Sequence, residues 1–494
     1  MADRLDRSLQ LAHLDHGGAE WADLRVVVLG LGVSGFAAAD ALLQRGARVT
    51  VLSGPPTEGE QEQATVLEIL GAQVRFGAEH QQRPPERTEL VIVSPAINPR
   101  HPFVTAAALA DIPVWGEVEL AWRMRPSEGA APWLTITGTN GKTTTVTMLE
   151  QMLRAAGKRA IAAGNVGTAL IEAVLHPQPF DVIAVELSSF QLHWSSSVSP
   201  YSSCLLNIAP DHLDWHGSYA AYRAAKASVY ERTQHACIYN NDDDITRVLL
   251  EEADVVEGAR AIGFTLGVPG PSMLGLVDGV LADRAFVPDR RYAAQICTVQ
   301  DLTRSLGSTP SGHYIADALA AAALALSFEV PLACVHDALL AYTPEPHRGQ
   351  VVATTGGVTW VDDSKATNPG AAAAALSAVE DVVWIAGGQL KGADVDDLVR
   401  GAAHRLRAAV LLGVDRAMIA TALARHAPDV PVVQIDSVHT DAMDLAVRHA
   451  ASLARPGDVV LLAPAAASKD MFTGYPQRGE LFARAARALG GEQS

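Results

Sequence analysis

The segment that decides the fold is Thr135-Ile136-Thr137-Gly138-Thr139-Asn140-Gly141-Lys142-Thr143-Thr144-Thr145. It follows an apolar run from Trp133 to Ile136 that predicts a strand, and it precedes a helical pattern from Val146 to Ala156. A glycine-rich turn between a strand and a helix aims several backbone N–H groups at one point, where they can bind phosphate oxygens. The segment therefore predicts a nucleotide-phosphate site within an α/β domain.

Two side chains of this loop support the same interpretation. Lys142 is placed to reach the outer phosphates, and the hydroxyl of Thr143 is placed to ligate Mg²⁺. The strict Walker pattern is not met, because Ile136 stands where its first glycine would be. A threonine-rich helix cap is the alternative, but a cap needs neither the lysine nor two glycines.

Length, charge and cysteine content limit the class of protein. A chain of 494 residues is too long for one ordinary core, which predicts several domains. A formal net charge of −17 argues against broad contact with nucleic acid or an anionic membrane. The four cysteines form no CxxC pair, which is typical of a reducing compartment. Met1–Gly18 has no apolar core of a signal peptide, and Ala318–Phe328 is too short to span a bilayer, so we expect a cytoplasmic protein.

The first block of the chain carries a second glycine-rich turn. Strand Leu24–Leu29 leads into Gly30-Leu31-Gly32-Val33-Ser34-Gly35, the spacing of a dinucleotide fold. An NAD site also needs an acidic residue after the second strand, Arg48–Leu52, and the first acid there is Glu58. The pattern favours a phosphate or diphosphate at this turn over NAD, while glycines serving only close packing remain an alternative.

Two proline-containing segments, Pro126–Pro132 and Pro344-Glu345-Pro346, divide the chain into predicted domains 1–127, 128–344 and 345–494. Alternating strands and helices predict mainly parallel sheets in all three. Strands are expected in the second and third domains at Trp133–Thr137, Asp181–Glu186, Ser203–Ile208, Ala236–Asn240, Thr359–Val361, Val382–Ala386, Ala409–Leu412, Val430–Ile435 and Val459–Leu462, with a small β region in Gly258–Phe286.

Polar groups follow two strands of the central domain. Glu186 ends an apolar run, where parallel sheets bind ligands, and it could hold Mg²⁺ beside Thr143. His212 follows a third candidate strand and could ligate a metal or contact a phosphoryl group. The alternatives are a solvated strand-end acid and a structural histidine. Lys226 alone is a weak signal, because most helix lysines are solvated.

The third domain has three polar strand ends, which predict one cleft for a charged small molecule. They are Asp362–Pro369, Gly387–Gly392 and Ser468–Phe472. Each contains a lysine, and the first also combines acceptors and hydroxyls with it, as binding of a charged small molecule requires. Asn368 before Pro369 could instead be only a helix N-cap.

Together these motifs resemble the Mur ligase family of peptidoglycan synthesis, over nearly the whole chain. Gly138–Thr143 is similar to the family's ATP loop, and Glu186-Leu187-Ser188-Ser189-Phe190-Gln191-Leu192, Asp211-His212-Leu213-Asp214 and Asp363-Ser364-Lys365-Ala366-Thr367-Asn368 are similar to the members that add D-glutamate. The resemblance implies a Rossmann-like N-terminal domain, a central P-loop-type ATPase domain and a Rossmann-like C-terminal domain. It implies ligation of D-glutamate to UDP-N-acetylmuramoyl-L-alanine by a monomer, through an acyl phosphate formed from ATP.

The resemblance also implies roles for individual residues. Catalysis falls to Lys142, Glu186, His212 and Lys226. One Mg²⁺ is held by Thr143 and Glu186 and a second by His212 and Lys226, the lysine being carbamylated by CO₂. ATP is contacted by Gly138, Thr139, Asn140, Gly141, Lys142, Thr143, Thr144, Asp317, Arg348 and Asp363. The UDP-sugar is contacted by Ser34, Ser94, Asn165 and Gln191, and D-glutamate by Lys365, Thr367, Lys391, Ser468 and Tyr475.

The chain departs from the family pattern in places. Asp317 replaces an asparagine near the adenine, and Gln389-Leu390 replaces acidic or glycine residues.

Three other functions are alternatives to a Mur ligase. A folylpolyglutamate synthase would share the ATP loop but not need the first glycine pattern, an NAD-dependent oxidoreductase lacks its acid, and a nucleotide-binding scaffold would have no use for Glu186, His212 and Lys226 together.

Overall fold

The computed structural model describes residues 11, 14, 15, 17–289, 291–437 and 439–491. Most of Met1–Gly18, on which the absence of a signal peptide was predicted, lies outside these residues. The described residues form three sheets, one in each of the three predicted domains, whose exact boundaries stay a prediction. The α/β class is confirmed, since strands and helices alternate along the chain.

The first sheet is parallel throughout, in the order β3-β2-β1-β4-β5. Its strands are β1 (Arg25–Leu29), β2 (Arg48–Ser53), β3 (Gln73–Phe76), β4 (Leu90–Val93) and β5 (Val114–Gly116). Its helices are α1 (Val33–Gln44), α2 (Glu58–Ile69), α3 (Pro102–Leu109) and α4 (Glu117–Arg123). Strand β1 is central, so the glycine-rich turn after it lies at the point where the strand order reverses, the usual ligand site of such sheets.

The second sheet has the order β14-β13-β12-β11-β10-β9-β6-β8-β7 and is parallel except where β13 pairs with its two neighbours. Its strands are β6 (Trp133–Thr137), β7 (Ala160–Gly164), β8 (Val182–Glu186), β9 (Ser202–Leu205), β10 (Ala236–Asn240), β11 (Arg260–Phe264), β12 (Met273–Val277), β13 (Val280–Asp283) and β14 (Ala294–Thr298). The helices of this part of the chain are α5 (Lys142–Ala155), α6 (Leu170–Val174), α7 (Ser189–His193), α8 (Leu213–His216), α9 (Tyr219–Ala227), α10 (Asp244–Glu251), α11 (Val299–Leu306), α12 (Gly312–Ser327) and α13 (Leu332–Ala341).

Alanine-rich helices cover this sheet, as the apolar but aromatic-poor composition predicts. Residues 318–325 of α12 are buried, and α12 packs against α5. The small side chains of α12 let the two helices approach closely. Strands β6 and β8 are buried along their whole length, as expected for parallel strands whose faces are covered by helices.

The third sheet has the order β15-β16-β20-β17-β18-β19, with only β15 antiparallel to its neighbour. Its strands are β15 (Gln350–Thr355), β16 (Val358–Asp362), β17 (Val382–Gly387), β18 (Leu406–Leu412), β19 (Val432–Gln434) and β20 (Val459–Leu462). Its helices are α14 (Pro369–Ser377), α15 (Asp396–Ala402), α16 (Arg416–His426), α17 (Ala442–Leu453) and α18 (Tyr475–Gly491). Strand β20 lies between β16 and β17, so the three polar strand ends predicted above meet at one edge of the sheet.

The chain divides into two compact units. One contains the first two sheets, up to Ile208 and again over Ala220–Tyr342, and the other contains Ala209–Tyr219 and the residues from Thr343 onward. Among the described residues, no helix combines the length and apolarity that crossing a membrane requires.

Candidate active site

The phosphate loop connects β6 to α5 and is held in place by a neighbouring strand end. Gly141, at φ +84°, reverses the chain directly before Lys142 starts the helix. Asn207 lies beyond β9, the neighbour of β6, and its carbonyl accepts from Thr139 N at 3.0 Å. The Asn207 side chain accepts from Asn140 N at 2.9 Å and donates to Asn140 O at 3.2 Å. These bonds fix the loop backbone before a ligand binds, which reduces the entropy that binding must overcome.

Two lysine ammonium groups lie against this loop. Lys142 Nζ donates to Gly138 O and Thr139 O, each at 2.9 Å. Lys226 Nζ donates to the same Gly138 O at 2.8 Å and to Thr137 Oγ1 at 3.1 Å, and the residue is only 2% exposed. By its sequence Lys226 was only a weak signal, because most helix lysines are solvated, whereas the fold buries it at the phosphate loop. Two cations within reach of one carbonyl create a strongly positive site for an anion.

A buried carboxylate stands beside the loop. The register of β6 and β8 pairs Ile136 with Glu186, which is 1% exposed. Asn165 donates from Nδ2 to Glu186 Oε1 at 2.8 Å and from its backbone N to Glu186 O at 2.8 Å. Glu186 Oε2 is buried and has no hydrogen-bond partner among the residues that the structure describes. A buried anionic oxygen without a partner is costly, and a cation would satisfy it.

The donor set fits Mg²⁺ bound together with phosphates. Glu186 supplies the orphaned oxygen, and Thr143 lies in the first turn of α5 at the loop. Among the residues that the structure describes, no three His, Cys, Asp or Glu side chains cluster to hold a metal by themselves. Mg²⁺ needs no such cluster, since it commonly binds through one or two protein oxygens, substrate phosphates and water.

His212 lies in the segment Ala209–Tyr219, which belongs to the second compact unit. It adopts a left-handed conformation at φ +52°, and its backbone N donates to Asp211 Oδ1 at 2.8 Å. Its Nε2 is 3.6 Å from Asp211 Oδ2. A role of His212 as a ligand of a second Mg²⁺ stays a prediction.

The structure places Asp317 against the phosphate loop. The residue lies in the first half of α12 and is 8% exposed. A Cβ on Gly141 would come within 2.2 Å of Asp317 Oδ1, so the carboxylate fits only against a glycine. This is the loop that precedes Lys142 and the hydroxyls of Thr143 and Thr144, which the sequence assigns to ATP. The contact with adenine that the resemblance implies stays a prediction.

The predicted UDP-sugar residues of the first sheet line its glycine-rich turn. Ser94 Oγ donates to Gly30 O at 3.1 Å, and Ser34 is half-buried in the first turn of α1. A Cβ on Gly35 would lie 2.0 Å from Gly30 O, so Gly35 is required for the close packing of helix on turn. The turn therefore serves packing, and a phosphate contact stays a prediction.

The other two predicted UDP-sugar residues have local structural tasks. Asn165 orients Glu186, as described above. Gln191 completes a capping box at α7, where its Oε1 accepts from Ser188 N at 2.9 Å and from Ser188 Oγ at 3.0 Å. A contact between either residue and the UDP-sugar remains a prediction.

In the second unit, residues 345–365 form a charged cluster. Lys365 Nζ pairs with Glu345 Oε2 at 2.5 Å, and its ammonium is 5.3 Å from the ring centre of Tyr475. Burial raises the pKa of Asp363 to about 6, although the Arg348 guanidinium and the Gly349 N–H counteract the rise. The Arg348 guanidinium beside the Asp363 carboxylate suits contact with a polyanion that carries Mg²⁺.

The remaining residues predicted to bind D-glutamate lie on three strand-end segments and one helix start. Thr367 follows β16, Lys391 is exposed in a left-handed turn at φ +54°, and Ser468 is buried beyond β20. Tyr475 is the first residue of α18, and its carbonyl accepts from Ser364 Oγ at 2.8 Å. Asn368 is the N-cap of α14, with its side chain accepting from Ala371 N, which confirms the capping alternative.

Sequence reasoning missed two structural residues of these sites, Asn207 and Arg478. Asn207 lies within the predicted strand Ser203–Ile208, and no role of its own was predicted for it. Arg478 is 1% exposed, and its guanidinium donates to Ser364, Ala466 and Gly387. An arginine within an amphipathic helix pattern normally lies in solvent, so no signal in the sequence indicated its burial.

Three family descriptions match the chain. Residues 24–116 match the Mur ligase MurD-like N-terminal domain, residues 136–267 the Mur ligase middle domain, and residues 347–466 the Mur ligase glutamate ligase domain. Among the relatives, the UDP-N-acetylmuramoylalanine--D-glutamate ligase of Streptomyces coelicolor is 55% identical over 475 residues, covering 96% of this chain and 99% of that protein. The protein of that name from Leifsonia xyli is 50% identical over 502 residues, covering 98% and 96%.

Solved structures share the fold at low identity. The UDP-N-acetylmuramate-alanine ligase MurC of Thermotoga maritima superposes with a TM-score of 0.55 at 18% identity, covering 94% of this chain and 99% of that one. The MurF ligase of the same organism, solved in complex with ADP, gives 0.55 at 14% identity and 96% coverage of both chains.

Proposed function

The chain belongs to the Mur ligase family, and from this premise we propose that it joins D-glutamate to UDP-N-acetylmuramoyl-L-alanine, with cleavage of ATP to ADP and phosphate. The observation that carries the assignment is 55% identity over nearly the full length to a ligase of that name. The product is a precursor of peptidoglycan.

The reaction proceeds in two steps whose atoms balance. A carboxylate oxygen of the L-alanyl group attacks the γ-phosphorus of ATP, the bond to the β,γ-bridging oxygen breaks, and an acyl phosphate and ADP form. The amine nitrogen of D-glutamate then attacks the acyl carbon, inorganic phosphate leaves with the bonding electron pair, and the amine loses a proton. Anions must meet in the first step, so cationic groups have to offset their repulsion.

The residues of the phosphate loop suit that first step. Lys142 donates to Gly138 O and holds positive charge at the loop, and Lys226 Nζ lies beside it against the same oxygen. Glu186, oriented by Asn165, and Thr143 would hold Mg²⁺, which when bound supplies charge neutralisation on the phosphates. The loop N–H groups, fixed by Asn207, would orient the phosphate oxygens.

Carbamylation of Lys226 is part of the proposal. In that reaction the ammonium group first loses a proton, the resulting neutral amine attacks the carbon of CO₂, an N–C bond forms as one C–O π bond breaks, and a second proton leaves the nitrogen, so that a cation becomes an anionic carbamate. The position of Lys226 supports it, since the side chain is buried against the phosphate loop, where a metal ion bound with the phosphates would lie. If it is correct, wild-type activity falls in CO₂-depleted buffer and returns with bicarbonate, while Lys226→Ala responds to neither. Full activity without CO₂ would refute it.

In the second unit, Lys365, Lys391, Thr367, Ser468 and Tyr475 would hold the two carboxylates of D-glutamate. Two lysines suit a dicarboxylate. Lys365 already pairs with a carboxylate, Glu345, and substrate binding would exchange that partner for a carboxylate of D-glutamate. Arg348, His212, Asp317 and Asp363 keep the roles that the family resemblance gives them.

The cellular setting belongs to the proposal as well. We expect a monomer that acts in the cytoplasm, where ATP and the nucleotide-linked substrate are available. Light scattering after size exclusion tests the first expectation, because a 52.1 kDa particle is the monomer.

The decisive experiment measures phosphate release from ATP with UDP-N-acetylmuramoyl-L-alanine and a panel of amino acids. We expect release with D-glutamate and little with L-glutamate, L-lysine or diaminopimelate, and loss of release in Lys142→Ala. Release with another amino acid but not with D-glutamate would overturn the assignment. Release with a reduced folate and L-glutamate would instead support the folylpolyglutamate synthase alternative.

A further inference from the structure

Arg478 is a buried cation at the edge of the third sheet where the polar strand ends meet. Its residue is 1% exposed in the first half of α18. Its Nε donates to Ser364 Oγ at 3.0 Å and its Nη2 to Ser364 O at 2.8 Å. Its Nη1 donates to Ala466 O at 3.1 Å and, more weakly, to Gly387 O at 3.5 Å. One guanidinium thus spans three separate chain segments.

Each of those segments continues into a residue predicted to bind D-glutamate. Ser364 directly precedes Lys365, Gly387 ends β17 four residues before Lys391, and Ala466 lies two residues before Ser468. Tyr475 is less than one helical turn before Arg478 itself. One side chain, which is not itself predicted to bind the substrate, therefore links the segments that carry the whole predicted set.

Burying a guanidinium costs free energy that a packed apolar side chain would not require. Burial lowers the pKa of Arg478 to about 9, against the nearby Asp470 and Asp362 carboxylates, so the group stays protonated near pH 7. Asp362 in turn accepts from Ser364 N at 2.9 Å and lies 2.7 Å from His347 Nδ1. The Arg478 guanidinium is thus connected to a hydrogen-bond network that extends to His347, the residue before Arg348.

We propose that Arg478 is a positioning residue for the amino-acid substrate, fixing the distances between the three segments that carry Lys365, Lys391 and Ser468. The proposal rests on the proposed function. Its physical basis is geometric, because only a planar fork with five donors can bond three backbone segments at once. A lysine at the same place has a single point of donation.

A merely structural Arg478 would act differently. It would stabilise the unit, and its loss would reduce the amount of folded protein without altering the affinity of the folded remainder for D-glutamate. The Michaelis constant for D-glutamate separates the two roles, because it does not depend on the concentration of active enzyme.

The test compares Arg478→Met, Arg478→Lys and Ser364→Ala with Arg484→Met, an exposed arginine on the same helix. We expect the KM for D-glutamate to rise about tenfold or more in Arg478→Met, with the KM values for ATP and the UDP substrate within about twofold of wild type. Arg478→Lys should recover part of the loss, Ser364→Ala should show a smaller rise, and Arg484→Met should match wild type.

The outcomes separate the hypotheses. If wild type shows no release with D-glutamate, the proposed function fails and this inference fails with it. If wild type is active and Arg478→Lys and Ser364→Ala keep the wild-type KM for D-glutamate, with activity proportional to the folded fraction by circular dichroism, only the positioning role is overturned. The two milder variants decide the question even where Arg478→Met does not fold.

Discussion

Replacing Glu117 by glutamine should change how the stability of the first unit depends on pH. Glu117 opens α4 and is 2% exposed, and its Oε1 accepts from Ile171 N at 2.6 Å. Burial raises its pKa from 4.5 to about 7, the hydrogen bonds from Ile171 and Leu170 oppose the rise, and the Glu172 carboxylate adds to it. The carboxylate oxygen can be replaced by an amide oxygen that accepts the same bond.

The magnitude follows from the difference between the folded and unfolded pKa values. The pKa rises from 4.5 in the unfolded chain to about 7 in the folded one, and at about 1.36 kcal/mol for each pH unit this corresponds to a free energy of about 3 kcal/mol. Between those pH values the folded chain keeps a proton that the unfolded chain has lost, so stability falls as pH rises through the window. The protonated form is thus the one that favours folding, the opposite of a salt-bridged carboxylate.

The assay measures urea unfolding by tryptophan fluorescence at about pH 5.5 and about pH 8, and the transition analysed is that of the first unit. Over this part of the window, the free energy of unfolding of Glu117→Gln relative to wild type should rise by about 2 kcal/mol. A relative free energy that stays constant within about 0.5 kcal/mol would refute the reasoning, because it would show that Glu117 does not titrate in the folded protein over this range.

Glu119, two residues further along α4, provides the matched control. Burial alone would raise its pKa, but hydrogen bonds from Ser197 and Ser196 and the Arg123 cation outweigh burial and lower it. Its contribution to stability is present above the unfolded pKa and is lost only as pH falls through the lowered folded pKa. Glu119→Gln should therefore be less stable than wild type by a similar amount at both pH values.

Three further predictions concern the candidate site. Gly141→Ala should raise the KM for ATP and lower the melting temperature, because the new Cβ would lie 2.2 Å from Asp317 Oδ1 at a backbone φ of +84°. Gly157 is the control, since it is exposed and also left-handed but has open space around it, so Gly157→Ala should affect only stability. Activity should decline as pH falls through about 6 as Asp363 becomes protonated, and Asp363→Asn should remove that decline at a lower plateau; a decline that persists in the variant would assign it to another group. Glu186→Gln should raise the Mg²⁺ concentration for half-maximal activity about tenfold or more without unfolding the protein, and an unchanged Mg²⁺ dependence would exclude Glu186 as the ligand.

The sequence predicted the class of fold and most of its buried strands. Runs such as Trp133–Thr137 and Val382–Ala386 are apolar along their whole length, because both faces of a parallel strand are covered by helices. Shorter or more polar strands were not predicted, among them Gln73–Phe76 and Gln350–Thr355. They lie at sheet edges, where solvent on one side removes the continuous apolar signal.

The sequence by itself also determined the local backbone of the predicted phosphate site, because a glycine-rich turn followed by Lys142 aims its N–H groups through local geometry alone. Only the tertiary structure decided which distant groups join it. It buried Lys226, an ordinary helix lysine by its sequence, at the loop, and it left Glu186 Oε2 without a hydrogen-bond partner among the described residues. In the second unit it placed Arg478 at the junction of three segments, of which Ser364 is 114 residues away in the chain. Such roles depend on burial and on contacts between residues far apart in the chain, and neither quantity has a local signature in the sequence.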